Sequence, residues 1–262
     1  MRILVTNDDG VDAPGLLAVA QALTAAGFTL DVVAPSADYS GSGSGLGSIQ
    51  HGRRVGCREL SLPGLARPAV AVDAPPVFAV LAAMTGLFGP RPDLVISGIN
   101  DGFNTGRMLM TSSTVSAAQA AGALGARGLA VSAGFAPAGR VDTAAHVAVH
   151  ATRWMVEHSA ARTVLNVNVP DSDLEDLRGV RACGLAPRGL MGLKLSRSDE
   201  AITLERFENS EGLGLGTDAD LIRQGYVTLS LVPATAAGAP DDRADPAAAI
   251  EAELHAAPAT AR

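Results

Sequence analysis

Apolar residues along the first 170 positions alternate between short buried runs and helical stripes. Residues 3–5 (Ile-Leu-Val) form an apolar run that stops at turn residues, the pattern of a strand buried on both faces. Pro14 stands where a helix can begin, and Leu16, Leu17, Ala20 and Leu23 recur at helical spacing up to Gly27. Residues 30–33 are a second buried strand, closed by Ala34-Pro35. Strand, helix and strand in about 35 residues make a βαβ unit, which requires parallel strands.

The rhythm continues with a strand at 70–72, a helix at 77–87 and a strand at 93–96 that ends in Ser97-Gly98-Ile99-Asn100. An alanine-rich helix at 114–124, a strand at 129–132, a long helix at 142–157 and a strand at 164–169 follow. Residues 40–48 (SGSGSGLGS) are a glycine- and serine-rich loop. Beyond Pro170 the pattern changes: residues 171–225 hold many glycines and few helical stripes, predicting hairpins or an extended arm. Residues 225–232 alternate like a late strand, and 246–254 offer one short helix in an Ala/Pro/Asp-rich tail. The pattern predicts an α/β protein: a Rossmann-like, mostly parallel sheet flanked by helices over 1–170, with a C-terminal extension over 171–262.

Composition narrows the chemistry. With 262 residues, 47% of them hydrophobic, the chain can bury a large core. A net charge of -7 argues against a general nucleic-acid binder with a basic face, so no nucleic acid is expected as an obligate partner. A small anionic substrate would need a cation recruited locally. The two cysteines, Cys57 and Cys183, are far apart and form no CxxC pair, which predicts two buried thiols in a reducing cytosol. The N-terminus enters a strand without a charged leader, and no apolar run approaches the roughly 20 residues of a membrane span. The expectation is a soluble, cytoplasmic protein without a membrane partner.

In open parallel sheets, ligands bind beyond the carboxyl ends of the strands. Three polar clusters fall at such ends: Asn7-Asp8-Asp9, Ser40 with its glycine loop, and Asn100 with Asn104. Paired carboxylates with hydroxyl and amide oxygens are an all-oxygen donor set suited to Mg²⁺, Mn²⁺ or Ca²⁺. A cation turns the repulsion between Asp8 and Asp9 into joint attraction. Taken alone, Asp-Asp-Gly is equally a turn with an aspartate capping the next helix. Ser113-Thr114 before the alanine-rich helix is equally a cap, although such a helix start also suits an anion.

Other chemistries fail on specific residues. His146 and His150 share a helix face at i,i+4, but no Glu follows His146, so the HExxH pattern is absent and they read as surface or packing residues. There is no GxSxG elbow, no P-loop and no GxGxxG. A haloacid-dehalogenase phosphatase would place its nucleophile at Asn7, and an amide cannot serve. A receiver domain would place its phospho-accepting aspartate at Ser97.

Together the clusters resemble the survival protein E (SurE) family of metal-dependent nucleotidases. The matching stretches are NDDGVDAPG (7–15), VVAP followed by Ser40-Gly41, RPDLVISGINDGFNTG (91–106), Ser112 with Thr114-Val115, LNVNVP (165–170), and Thr217-Asp218 upstream of Gly225. The resemblance implies one divalent cation per subunit, Mg²⁺ or Mn²⁺ with Ca²⁺ as a substitute, held by Asp8, Asp9, Ser40 and Asn100. It implies phosphate-side residues at Asn104, Ser112 and Thr114, with Ser113 beside them. It also implies a C-terminal extension exchanged between subunits, in a homodimer or homotetramer. Three positions depart from the family pattern. Ser113 replaces a usual glycine, residues 73–78 lack a usual carboxylate and thiol, and an arginine common before the metal serine is missing near Ala37.

Two functions follow as expectations. The first is a divalent-metal-dependent phosphomonoesterase acting on nucleoside monophosphates, a 5′/3′-nucleotidase with Asp8 or Asp9 taking the proton of the attacking water. The alternative is a phosphate- or nucleotide-binding protein that keeps the metal site with little or no turnover.

Overall fold

The structure, a computed structural model, describes residues 1–135 and 140–234. In chain order the elements are β1 (Ile3–Thr6), α1 (Pro14–Ala25), β2 (Leu30–Pro35), β3 (Cys57–Leu60), β4 (Ala69–Val72) and α2 (Pro76–Met84). Next come β5 (Leu94–Asp101), α3 (Ser113–Ala123), β6 (Arg127–Ala133), α4 (Val141–His158) and β7 (Val164–Asn168). The extension adds β8 (Val180–Ala182), β9 (Met191–Arg197), β10 (Ile202–Glu208), α5 (Asp218–Arg223) and β11 (Val227–Leu231). The tail helix expected at 246–254 lies outside the described residues.

One sheet runs in the order β3-β4-β2-β1-β5-β6-β7-β11-β8, parallel except where β3 joins β4 and β11 joins β7. The α/β, Rossmann-like expectation holds. The pleat divides the core: Ile3, Val5, Leu94 and Ile96 face one hydrophobic cluster with α1 and α4, while Leu4 and Val95 face another with α2 and α3. Each large aliphatic side chain so buried contributes roughly 1.5–3 kcal/mol. The chain leaves β1 toward β2 on one side and later places β5 on the other, so the topological switch lies between β1 and β5.

Several details differ from the sequence expectation. β5 does not stop at Ile96 but continues to Asp101 through a register shift between Ser97 and Asn100. Gly98 sits at the shift with φ +132°, where a Cβ would meet the Val131 carbonyl oxygen at 2.2 Å. β3, unexpected from the sequence, is an exposed edge strand. It carries Cys57 to the surface, and Cys183 is half-buried, which corrects the expectation of two buried thiols; both are free. His146 and His150 are exposed on α4, with rings 4.9 Å apart, as expected of surface residues.

The extension is more integrated than its sequence suggests. β8 and β11 complete the main sheet, and β9 and β10 form a separate antiparallel hairpin. Residues 171–225, expected to form hairpins or an extended arm, also build a small core from Ala186, Leu190, Leu213, Ala219 and Ile222, with Phe103 packed against it. Among the described residues no helix is long and apolar enough to cross a membrane.

Candidate active site

β1 delivers Asn7, Asp8 and Asp9 to the switch point. The segment is a turn, but neither carboxylate caps the helix that follows, because the N-cap of α1 is Ala13 and no side chain caps that helix. Asn7 is wholly buried; its Nδ2 donates to the Gly10 carbonyl at 2.9 Å and tightens the turn. Asp8, 3% exposed, accepts from Thr114 Oγ1 at 2.6 Å, which ties β1 to the start of α3.

The glycine-rich loop closes over this pair. Tyr39 N donates to the Asp8 carbonyl at 2.8 Å, and Ser40 N donates to Asp38 Oδ1 at 2.7 Å. The loop is latched from α3 by Ser113, which is fully buried. Ser113 Oγ donates to the Tyr39 carbonyl at 3.0 Å, accepts from Gly43 N at 3.1 Å and lies 3.0 Å from Ser42 Oγ. Ser113 therefore faces the loop, not the opening before the helix. Ser112 is the true N-cap of α3, accepting from Val115 N at 3.1 Å.

β5 brings Asn100, whose Nδ2 donates to the Gly102 carbonyl at 2.6 Å. The adjacent Asp101 N–H donates to Asp9. Asn104 is fixed on every side. Its N–H donates to Asn168 Oδ1 at 2.8 Å, its Nδ2 donates to Ser132 Oγ at 2.9 Å, and its carbonyl accepts from Asn166 and Asn168 at 2.9 Å each. The following turn is held by Asp218, which accepts from Gly106 N and Ala186 N at 2.8 Å each. There the two chain segments touch so closely that a Cβ on Gly106 would fall 2.4 Å from Gly189 N.

Sequence reasoning missed Asn166, Asn168, Ser132 and Asp218 as supports of the site. The asparagines had a signal: amides at i and i+2 in an otherwise apolar strand put two polar groups on one buried face. Asp218 lay in the matching stretch Thr217-Asp218 without a role attached to it, and Ser132 carried no signal.

Among the described residues neither Asp8 nor Asp9 forms an ion pair. Burial pushes the Asp9 carboxyl up to about 7, helped by the charge of Asp8. Burial likewise raises Asp8, opposed by the Thr114 hydroxyl. Asn7 Oδ1 is a buried acceptor without a hydrogen bond among the described residues. No three His, Cys, Asp or Glu side chains gather as a metal group among the described residues. The set here is two carboxylates plus hydroxyl and amide oxygens, the chemistry of a hard divalent cation rather than zinc. These residues fit such an ion.

A doubly wound α/β protein with an oxygen-donor carboxylate pair at its switch point is the class that fold and site define. The family model described as Survival protein SurE matches residues 3–191. The 5′-nucleotidase SurE of Laribacter hongkongensis is 35% identical over 239 residues, covering 88% of this chain and 92% of the relative. That of Aeromonas hydrophila is 36% identical over 235 residues, covering 88% and 91%. The crystal structure of the SurE protein from Aquifex aeolicus superposes with a TM-score of 0.76 at 26% identity, covering 91% of this chain and 95% of the other. The chain belongs to the SurE family.

Proposed function

We propose that this protein is a divalent-metal-dependent 5′-nucleotidase, a phosphoric monoester hydrolase acting on nucleoside monophosphates. The observation that carries this reading is the Asp8–Asp9 couple, Asp8 buried and Asp9 half-buried, without an ion pair among the described residues, beside a capped helix start at the topological switch. The 5′-nucleotidase SurE relatives support it. Asp8, Asp9, Ser40 and Asn100 would hold one Mg²⁺ or Mn²⁺ per subunit. When bound, that cation neutralises phosphate charge and acidifies an attacking water.

The remaining work falls to the chain itself. Ser112 and the positive end of the α3 dipole bind the equatorial phosphate oxygens, with Asn104 opposite. Asp9, less enclosed than Asp8, accepts the proton of the attacking water. Thr114 orients Asp8, and Ser113 holds the Ser40 loop, so both act through neighbours rather than on substrate. The serine that replaces a family glycine thus stands away from the phosphate, which removes the main motive for a turnover-free binding protein.

We further propose a division into a catalytic core, 1–170, and an extension, 171–262, that mediates at least a homodimer in the cytoplasm. One hairpin face aligns Leu204 with Leu195 and carries Leu193 and Ile202 beside them, all exposed. A stable monomer at micromolar concentration by light scattering would contradict the assembly.

The catalytic reading is tested by assaying p-nitrophenyl phosphate and nucleoside monophosphates with Mn²⁺ and Mg²⁺. Activity that survives EDTA undiminished overturns it. Asp8→Asn should lower metal affinity and turnover by orders of magnitude, while the metal-free melting temperature hardly moves.

A further inference from the structure

The helix α4 is anchored along one face, where Ala144, Ala148, Thr152 and Met155 are buried. Its other face is held in place by that packing and stays open to solvent. There His146 and His150 stand one helical turn apart, both exposed. Their ring centroids are 4.9 Å apart, and the ring planes are tilted by 53° rather than stacked face to face. Among the described residues neither imidazole has a hydrogen bond or an ion pair, so both keep their nitrogens for an outside partner.

That separation is the one two imidazoles need to share a metal ion. Metal–nitrogen bonds of about 2.1 Å put each ring centroid about 3.2 Å from the ion. Ligand angles of about 90–110° then set the two centroids about 4.5–5.2 Å apart. The observed 4.9 Å falls inside this range. Because the helix backbone already spaces the pair, closing the chelate orders only two side chains, which keeps its entropic cost low. Imidazole suits Cu²⁺, Ni²⁺ and Zn²⁺, whereas Mg²⁺ and Ca²⁺ take oxygen ligands. The pair is thus opposite in chemistry to the oxygen donors around Asp8 and Asp9. His158 lies too far along α4 to share the ion, since eight residues beyond His150 is roughly 12 Å of axial rise.

We propose that His146 and His150 form a surface chelate for a divalent transition-metal ion, with Cu²⁺ bound most tightly and Ni²⁺ and Zn²⁺ less so. Among the described residues no third His, Cys, Asp or Glu side chain completes the set, so water fills the other positions and the ion stays open to a further ligand. The ion clips one turn of α4 and stabilises the folded state in proportion to its affinity. The proposal stands apart from the catalytic reading, because none of the residues assigned above to metal or phosphate lies on α4.

The chain supplies its own reporter. Trp154 is its only tryptophan, one turn beyond His150 and 43% exposed. Cu²⁺ is titrated into the full-length protein, with excess Mg²⁺ present to fill the oxygen-donor site, and Trp154 fluorescence is followed. Saturable quenching should appear, and Mg²⁺ alone should cause none. His146→Ala and His150→Ala should each weaken the Cu²⁺ midpoint by about tenfold or more. Alanine at exposed helix positions favours the helix, so both variants fold. His158→Ala, which removes the other histidine near Trp154, should leave the midpoint unchanged. Ni²⁺ and Zn²⁺ should raise the melting temperature of the wild type more than that of His146→Ala. Absence of saturable quenching, or a midpoint that moves with His150→Ala or His158→Ala but not with His146→Ala, overturns the chelate.

Discussion

Thr114 Oγ1 donates to Asp8 Oδ1 across 106 residues of sequence, at 2.6 Å and with both residues buried. This bond, together with one from the Thr114 backbone N–H to the same carboxylate, fixes the distance between the carboxylates after β1 and the helix start that receives phosphate. Thr114→Val keeps the shape and removes the donor. Turnover should fall about 10–100-fold, as for other groups that orient a metal ligand. Metal-free stability at neutral pH should fall by about 1 kcal/mol, because the buried carboxylate loses one donor and keeps the Thr114 backbone N–H. Thr114→Ser should restore most of both, as read by kinetics and by denaturant unfolding.

Ser113 makes a separable prediction. Ser113→Ala removes the latch on Tyr39, Ser42 and Gly43 while leaving the Ser112 cap and the Thr114 bond in place. Amide exchange across residues 39–45 should accelerate in the metal-free protein, and metal should bind several-fold more weakly. Unaltered exchange in that segment would show that the loop is held by other contacts.

The carboxylate pair predicts an inverted pH response. Asp9 has a folded-state value near 7 against 3.8 for the exposed group, so the folded state holds its proton more tightly than the unfolded chain does. Its stabilising contribution is complete below about 3.8 and is lost as pH rises toward about 7, at most about 4 kcal/mol over the interval. Asp8, also raised by burial, acts in the same direction. The metal-free protein should melt at a lower temperature at pH 8 than at pH 5, and Asp9→Asn should flatten that slope. Added Mn²⁺ should raise the melting temperature more at pH 8, where its ligands are already deprotonated. A metal-free melting temperature that rises from pH 5 to pH 8 would sink this account.

Asp218 tests how the extension supports the site. Both carboxylate oxygens accept backbone N–H groups, from Gly106 on one side and from Ala186 and Ala219 on the other. Asp218→Asn places an NH₂ against one of those donors, so it should destabilise nearly as much as Asp218→Ala, by about 2–4 kcal/mol. Turnover should drop in both, because the segment from Gly106 to Ser112 loses its anchor. Urea unfolding and kinetics of the two variants side by side decide the point.

Much of this was legible in the residues themselves. The βαβ rhythm exposed the parallel sheet, and Asp8 and Asp9 were legible as a carboxylate pair directly after the first strand. What stayed hidden has physical causes. β3 is an edge strand whose residues are mostly exposed, so it carries no hydrophobic pattern. The continuation of β5 past Gly98 is a backbone event, and glycine ordinarily signals a stop. α5 spans six residues, too few to show a periodicity. Ser113 reads as a cap from sequence, and only the packing of a loop seventy residues earlier turns it into a latch.

The bond from Gly106 to Asp218 spans 112 residues, and the free edge of β7 is covered by β11, which lies later still. On the ribosome these partners emerge in sequence, at rates of about 5–20 residues per second, so Asp218 follows Gly106 by roughly 5–20 seconds. Through that interval the nascent chain already carries its carboxylate pair, yet the turn leading into α3 has no anchor and a sheet edge stands open. A chain that stops before β11 would leave the β7 edge unpaired and the turn before α3 without its Asp218 anchor, the kind of open edge that invites pairing with another chain.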